Sequence, residues 1–276
     1  MRQSENSANM SGAASNKVGN RWAAFAAKEI MESLRTKRIL VIFCVFVISA
    51  IMGVVLARFI GELMAALLSA DGGAPFTIEV PPPVWQDSYA QVFSSLTEIG
   101  VIAVIMLFMG SILREKTTGT IDLMMAKGLT TTVFVLVKFA VGAVIIMLAL
   151  YTAVFVAFGY TFVLFEYAGN IGDVLFGATA FGVFALMILA VTLLWSAVAK
   201  STAISAVLGL GSFFVISLLS VVPVIGRFMP GGLGSYSVSL AVGGGQERLL
   251  PQMAVAAVIS AVCLWGAMMV LRKREG

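Results

Sequence analysis

Side chains able to do chemistry are scarce in this 276-residue sequence, and the scarcity itself narrows the options. There is no histidine, which removes the commonest general base and the commonest zinc ligand together. Cys44 and Cys263 sit far apart in apolar runs and read as small packing residues, not as a disulfide or metal pair. The acids Asp71, Glu79, Glu166 and Asp173 fall in polar stretches between apolar runs, where solvation explains them better than catalysis. Arg58, Glu98, Lys138, Glu166 and Lys200 lie close to the ends of apolar segments, where long side chains reach water. No carboxylate pair shares a helix face within an apolar run, so neither paired acid–base work nor an ion relay is expected. A Gly-x-x-x-x-Gly-Lys-Ser/Thr phosphate loop is missing too, so the chain cannot cradle ATP in that manner.

One short segment concentrates what polar chemistry there is: Arg114-Glu115-Lys116-Thr117-Thr118-Gly119-Thr120-Ile121-Asp122-Leu123-Met124-Met125-Ala126-Lys127-Gly128. It starts charged and turns apolar on one side through Ile121, Leu123, Met124 and Met125. Thr118 or Thr120 is placed to cap a short helix, with Asp122 in its first turn and Gly128 as its stop. Such a helix, with adaptable methionines on its surface, suits the docking of a protein partner. An ordinary charged loop that only fixes topology accounts for the same residues equally well.

The elements that must position this segment follow from composition. Apolar residues make up 60% of the chain and charged residues 12%, with a mean hydropathy of +1.01. Soluble domains run at about 45–50% and about 25%. The excess fits a polytopic membrane protein and excludes disorder, a nucleic-acid binder and a secreted disulfide scaffold. Six apolar segments are expected to span, at about 39–57, 88–113, 133–164, 174–199, 203–225 and 253–271, each long enough for the about 20 residues that a bilayer requires and the third long enough to tilt or project. They form one domain over residues 21–276, preceded by a polar tail at 1–20 that does not read as a signal peptide.

With the N-terminus inside, 15 of the 18 basic residues fall on the inner side, leaving only Arg58, Arg227 and Arg248 outside. That bias predicts cytoplasmic termini and an integral protein of the cell (plasma or inner) membrane. Residues 21–38 carry Trp22, Phe25, Ala26, Ile30 and Leu34 at helical spacing, opposite Arg21, Lys28, Glu32 and Arg35. This pattern predicts an amphipathic helix in the inner interface, tethered to the first span. The first outer loop, from Arg58 to about Thr97, includes Phe76–Val80 in alternation, the stiff Pro81-Pro82-Pro83, and Trp85 and Tyr89 at the level of the headgroups. The last outer loop, about 226–251, is rich in Gly and Pro and can re-enter the membrane only if protein buries it.

Taken in order, the sequence resembles the type-two ABC transporter permeases: an amphipathic leader with Lys28-Glu29 and Arg35, a span, a long outer loop, a second span, and a charged Glu-x-x-x-Gly-Thr turn. Glu115, Lys116, Gly119, Thr120, Asp122 and Leu123 match the family pattern, while Thr117 stands where a second acid is common. The threonine-rich turn that follows and Lys138 are similar as well. The resemblance covers residues 21 to 274 and implies an all-α membrane protein of six spans, with an interfacial elbow helix (Trp22, Phe25, Lys28, Glu29, Arg35) and a short cytoplasmic coupling helix between spans two and three. It implies that Glu115, Gly119, Thr120, Asp122, Leu123 and Met124 couple the chain to a separate ATP-binding cassette subunit, which would hold ATP and Mg. A second permease chain, identical or paralogous, would complete the pathway. The chain itself would be a non-catalytic exporter subunit without a cofactor. The absence of charge from mid-membrane is compatible with a hydrophobic or amphiphilic cargo. Two other classes remain open: an ATP-independent channel or secondary transporter, and a membrane scaffold or assembly factor.

Overall fold

Every described element of the computed structural model is helical, and the described residues are 22, 25–70, 82–126, 128–222, 226, 228–243 and 249–273. The chain opens with α1 over residues 25–35. Lys37 then takes a left-handed backbone (φ 55°), and this bend turns the chain directly into α2, Arg38–Ala70. The second span runs from Trp85 to Thr117 as α3 (Trp85–Ser95), a π-helical turn (Leu96–Gly100), α4 (Val101–Phe108) and α5 (Leu113–Thr117). Short α6 (Thr120–Ala126) leads to α7 (Thr131–Phe165), α8 (Ile171–Val198) and α9 (Thr202–Val221). A 3₁₀ turn (Pro230–Gly232), α10 (Leu233–Ala241) and α11 (Leu249–Arg272) complete the fold.

Among the described residues, six helices are long and apolar enough to cross a membrane: Arg38–Leu63, Trp85–Thr117, Thr131–Phe165, Ile171–Val198, Thr202–Val221 and Leu249–Arg272. The six expected spans are therefore present, and the protein is an integral all-α membrane protein. Local chemistry sets their ends. Asn170 and Ser201 cap α8 and α9 by accepting from the N–H groups of Gly172 and Ile204, and Glu166 ends α7 in a left-handed conformation. α8 is the hub, packing against α4, α7, α9, α10 and α11. It is apolar on every side, as a helix surrounded by others must be. By contrast, α9 and α11 leave Val207, Phe214, Leu218, Val258, Val262 and Trp265 exposed, a surface suited to lipid and not to water.

One outer-loop expectation is corrected. Tyr89 is not a headgroup anchor: it is buried, its hydroxyl donates to the Ala168 carbonyl at 2.7 Å, and Trp85 stacks edge-on against both Tyr89 and Tyr167. The start of span two is thereby clasped to the turn between α7 and α8. The last outer loop meets the condition for re-entry, being buried by protein: it forms α10, which packs Leu233, Gly234, Ser237, Leu240 and Ala241 against α8 and α3. Gly177 of α8 permits this approach, because a Cβ there would lie 2.5 Å from the Ser237 carbonyl oxygen. The Phe76–Val80 alternation and Pro81 lie outside the described residues, as do Arg21, Lys127, Arg227 and Arg248.

Candidate functional site

The basic end of the bundle, where α1, α5 and α6 meet the start of α7, holds the protein's one described network of buried charge. The reason lies in what each helix brings. α1 turns Phe25, Glu29 and Ser33 inward, at i, i+4 and i+8. α7 brings Phe134 and Lys138, likewise four apart, and α5 brings Glu115. Phe25 stacks on Phe134 at 5.7 Å between ring centres, which sets α1 against α7 with Glu29 level with Lys138.

The Lys138 ammonium, 3% exposed, donates to both oxygens of Glu29 at 2.8 and 2.9 Å and lies 3.3 Å from Glu115 Oε1. Lys28 closes the other side, donating to the same Glu115 oxygen at 2.7 Å and approaching Glu29 at 3.7 Å and Glu32 at 3.5 Å. Each ammonium also lies near an aromatic ring, Lys28 at 5.5 Å from Phe25 and Lys138 at 5.1 Å from Phe134. Burial pushes the Glu29 carboxyl above its ordinary value, and the charge and hydrogen bonds of Lys138 offset only part of that push. Burial works to lower the Lys28 ammonium, but the hydrogen bond and charge of Glu115, joined by Glu29 and Glu32, raise it overall. Glu29, Glu32 and Glu115 offer carboxylate oxygens within 4.8 Å of one another. Two ammonium groups already stand among those oxygens, so the arrangement is an ionic clasp and not a metal centre.

Span two is anchored just above the clasp. Its helix breaks over Met109–Ile112, which frees backbone N–H groups inside the bundle. The buried Ser196 hydroxyl of α8 accepts from the N–H of Ile112 at 3.0 Å and of Leu113 at 3.1 Å. The Lys116 ammonium donates to the Ala197 carbonyl at 2.8 Å. Beyond it, Gly119 adopts φ +71° and turns the chain into α6, and Gly128 at φ +83° ends that helix, its N–H donating to the Met125 carbonyl at 2.8 Å. The hydroxyl of Thr118 bonds back to the Arg114 carbonyl at 2.9 Å and pairs with that of Thr120 at 2.8 Å. Thr118 thus fastens the end of α5.

The residues singled out from the sequence divide between two places. Phe25, Lys28, Glu29 and Glu115 meet in the clasp, whereas Trp22 and Arg35 remain on the surface. Gly119, Asp122 and Leu123 face outward, Leu123 with 59% of its surface exposed; Thr120 is half-buried, and Met124 packs partly against the core. Beside α6 a hollow of about 400 Å³ is lined by Met125, Gly128, Leu129, Thr130, Thr131 and Arg272. The bundle-facing side of α1 is Phe25, Glu29 and Ser33, while Ile30 and Leu34 of the expected interfacial face are exposed. Two expectations change. Lys138 does not snorkel to water: it lies two turns inside α7, buried and paired. Glu98 is not at a span end but in the π-helical turn in the middle of span two. Glu29 four residues before Ser33 on a short helix was the available signal for the buried polar face, but sequence does not say which helix it meets.

Residues 23–231 of this chain match the family described as ABC-2 family transporter protein. The chain belongs to that family. It is therefore a permease, the membrane component of an ABC transporter, a class that works with an ATP-binding subunit and is not itself catalytic. The match takes in α1, the clasp, α6 and the first five spans of this ABC-2 permease. None of the curated proteins compared with the chain matches it.

Proposed function

We propose that this ABC-2 permease is the membrane subunit of an ATP-driven exporter, with a separate ATP-binding subunit docked on α6 and a second permease chain completing the pathway. The observation that carries the reading is the clasp. Glu115, which leads directly into the exposed Gly119–Leu123 surface, is held by Lys28 of α1 and Lys138 of α7. A surface turn braced from behind by buried charge passes a push into the spans instead of yielding to it. Leu123 and Asp122 present the contact, and the hollow beside Met125 and Arg272 widens it. The concentration of basic residues at this end supports a cytoplasmic placement, where ATP and Mg would be held by the partner. Export as the direction follows from the likeness to type-two permeases.

Affinity purification from native membrane tests the reading. The expected result is a stoichiometric partner that carries a phosphate loop. Leu123→Asp should lose that partner and its substrate-stimulated ATPase activity while the permease keeps its melting temperature, because the side chain is exposed. Solute flux through the purified chain without ATP would instead establish a channel or secondary transporter. A stable partner without a phosphate loop and without flux would establish a scaffold.

A further inference from the structure

The half of the bundle away from the clasp contains a feature that energy coupling does not use. Glu98, an exposed residue of the π-helical turn of span two, lines a cleft of about 330 Å³ between this span and α10. The cleft is walled by Ala90, Phe93 and Val238 and edged by Ser94, Thr97 and Ser235. Counting back from Arg114, Glu98 lies about 24 Å along the helix at 1.5 Å per residue. Placing Arg114 at the inner boundary of a hydrocarbon layer of about 30 Å puts the carboxylate inside that layer, in the half remote from the basic end. Charge at such a depth is costly and marks a functional position by default.

The surroundings do little to offset that cost. Ser94 reaches Glu98 Oε1 at 3.4 Å, a long hydrogen bond, and no described lysine or arginine forms an ion pair with it. The Thr97 hydroxyl is committed to the Phe93 carbonyl at 2.7 Å. The π-helical turn adds one residue to the helical repeat, a distortion frequently found at functional sites, and here it carries the carboxylate. Gly234 brings α10 close on the opposite wall, since a Cβ there would stand 2.9 Å from Thr97 Oγ1.

We infer that this cleft is a binding site for the cationic headgroup of an amphiphile, with Glu98 as its counter-charge. Three properties select that class. The charge is single and negative, so it pairs with one organic cation and would repel an anion. The volume falls at the small-molecule end of ligand sites, about 300–1,000 Å³, and far exceeds a dehydrated metal ion. Ala90, Phe93 and Val238 give one part of the lining an apolar surface that accommodates a tail, while Ser94, Thr97 and Ser235 stand near the headgroup. This assignment deepens the exporter reading and rests on it for the direction of movement, but binding at Glu98 does not itself require ATP.

The test uses the complete transporter in proteoliposomes and a photoreactive dodecyl quaternary ammonium, with the matched dodecyl sulfonate beside it. The ammonium should label peptides of α3 and α10 without nucleotide, and the sulfonate should not. Glu98→Gln should reduce that labelling about tenfold, the loss expected for one charge-assisted contact, and Glu98→Asp should retain most of it. Ser235→Phe, which narrows the cleft from its other wall, gives an independent loss should the Glu98 variants fold poorly. Equal labelling by the two probes, or labelling indifferent to both Glu98→Gln and Ser235→Phe, overturns the assignment. Labelling that survives with no ATP-driven movement of the probe sustains the site and sinks the exporter reading. ATP-driven transport of another solute, with no ammonium labelling, does the reverse.

Discussion

Replacing Lys138 by methionine keeps an unbranched side chain, one atom shorter, and removes the charge at the centre of the clasp. Glu29 and Glu115, both buried, would then face each other with only the half-exposed Lys28 between them and water. Carboxylate oxygens within 4.8 Å repel by about 3–4 kcal/mol at an effective dielectric of about 20. The alternative is for one acid to take up a proton. Neutralising a carboxyl whose ordinary value is 4.5 costs about 3.4 kcal/mol at pH 7, so both routes set the penalty near 3 kcal/mol. That agrees with the general cost of removing one partner from a buried pair. Locally it predicts that amide protection over residues 25–35 falls about a hundredfold in hydrogen exchange, since each 1.4 kcal/mol is a factor of ten.

The pH dependence gives this prediction a sign. An acid whose folded-state value is raised contributes stability that is complete below its unfolded value and is lost as pH rises through the folded one. Glu29 is already raised by burial, and losing Lys138 raises it further. Acidifying the Lys138→Met protein from pH 7 to 5.5 should therefore recover about 2 kcal/mol of the docking of α1. A Glu29→Leu/Lys138→Met double variant, which removes both charges, should regain most of the protection at pH 7. Wild-type protection in the single variant, or a defect that deepens on acidification, would refute the idea that buried charge holds α1 in place.

Two further substitutions probe the opposite end. Gly177→Val should lift α10 off α8, because even its Cβ meets the Ser237 carbonyl; a loss of at least about 2 kcal/mol, typical of overpacking, is expected in thermal denaturation in detergent. Tyr89→Phe leaves the Ala168 carbonyl without its donor at a buried site and should cost about 1–3 kcal/mol by the same measurement, with hydrogen exchange rising at the turn between α7 and α8.

What the sequence discloses and what it conceals both have physical reasons. Span number was legible because about 20 consecutive apolar residues have few other uses, and the Gly119 and Gly128 turns because positive φ favours glycine. The clasp was not legible. Periodicity shows that Phe25, Glu29 and Ser33 share a face, but a carboxylate on a helix face reads as solvated unless the lysine on another helix is known to meet it. Lys138 looked like a snorkelling residue because hydropathy cannot separate a position facing lipid from one facing protein. α10 was hidden for a related reason. Small residues such as Gly234, Ser237 and Ala241 permit close helix packing, and the same composition is typical of loops.

Span two connects the two sites. Glu115 at its basic end belongs to the clasp, and Glu98 lies seventeen residues earlier on the same span. Between them the helix is not uniform: it breaks at Met109–Ile112, where Ser196 of α8 takes up the freed N–H groups, and it is overwide at Leu96–Gly100. Those two irregularities are where a packed helix can change shape without exposing backbone to lipid. Movement at α6 reaches the cleft through that span, through its packing on α8, or through α7, which follows α6 in the chain and touches α3. A disulfide fixing α4 to α8 should therefore separate the two sites, leaving nucleotide hydrolysis intact while abolishing any effect of nucleotide on labelling at Glu98. Nucleotide-dependent labelling that survives the cross-link would place the connection elsewhere, with α7, which carries Lys138 and packs on α3, and α1 with its junction to α2 the remaining covalent routes out of the clasp.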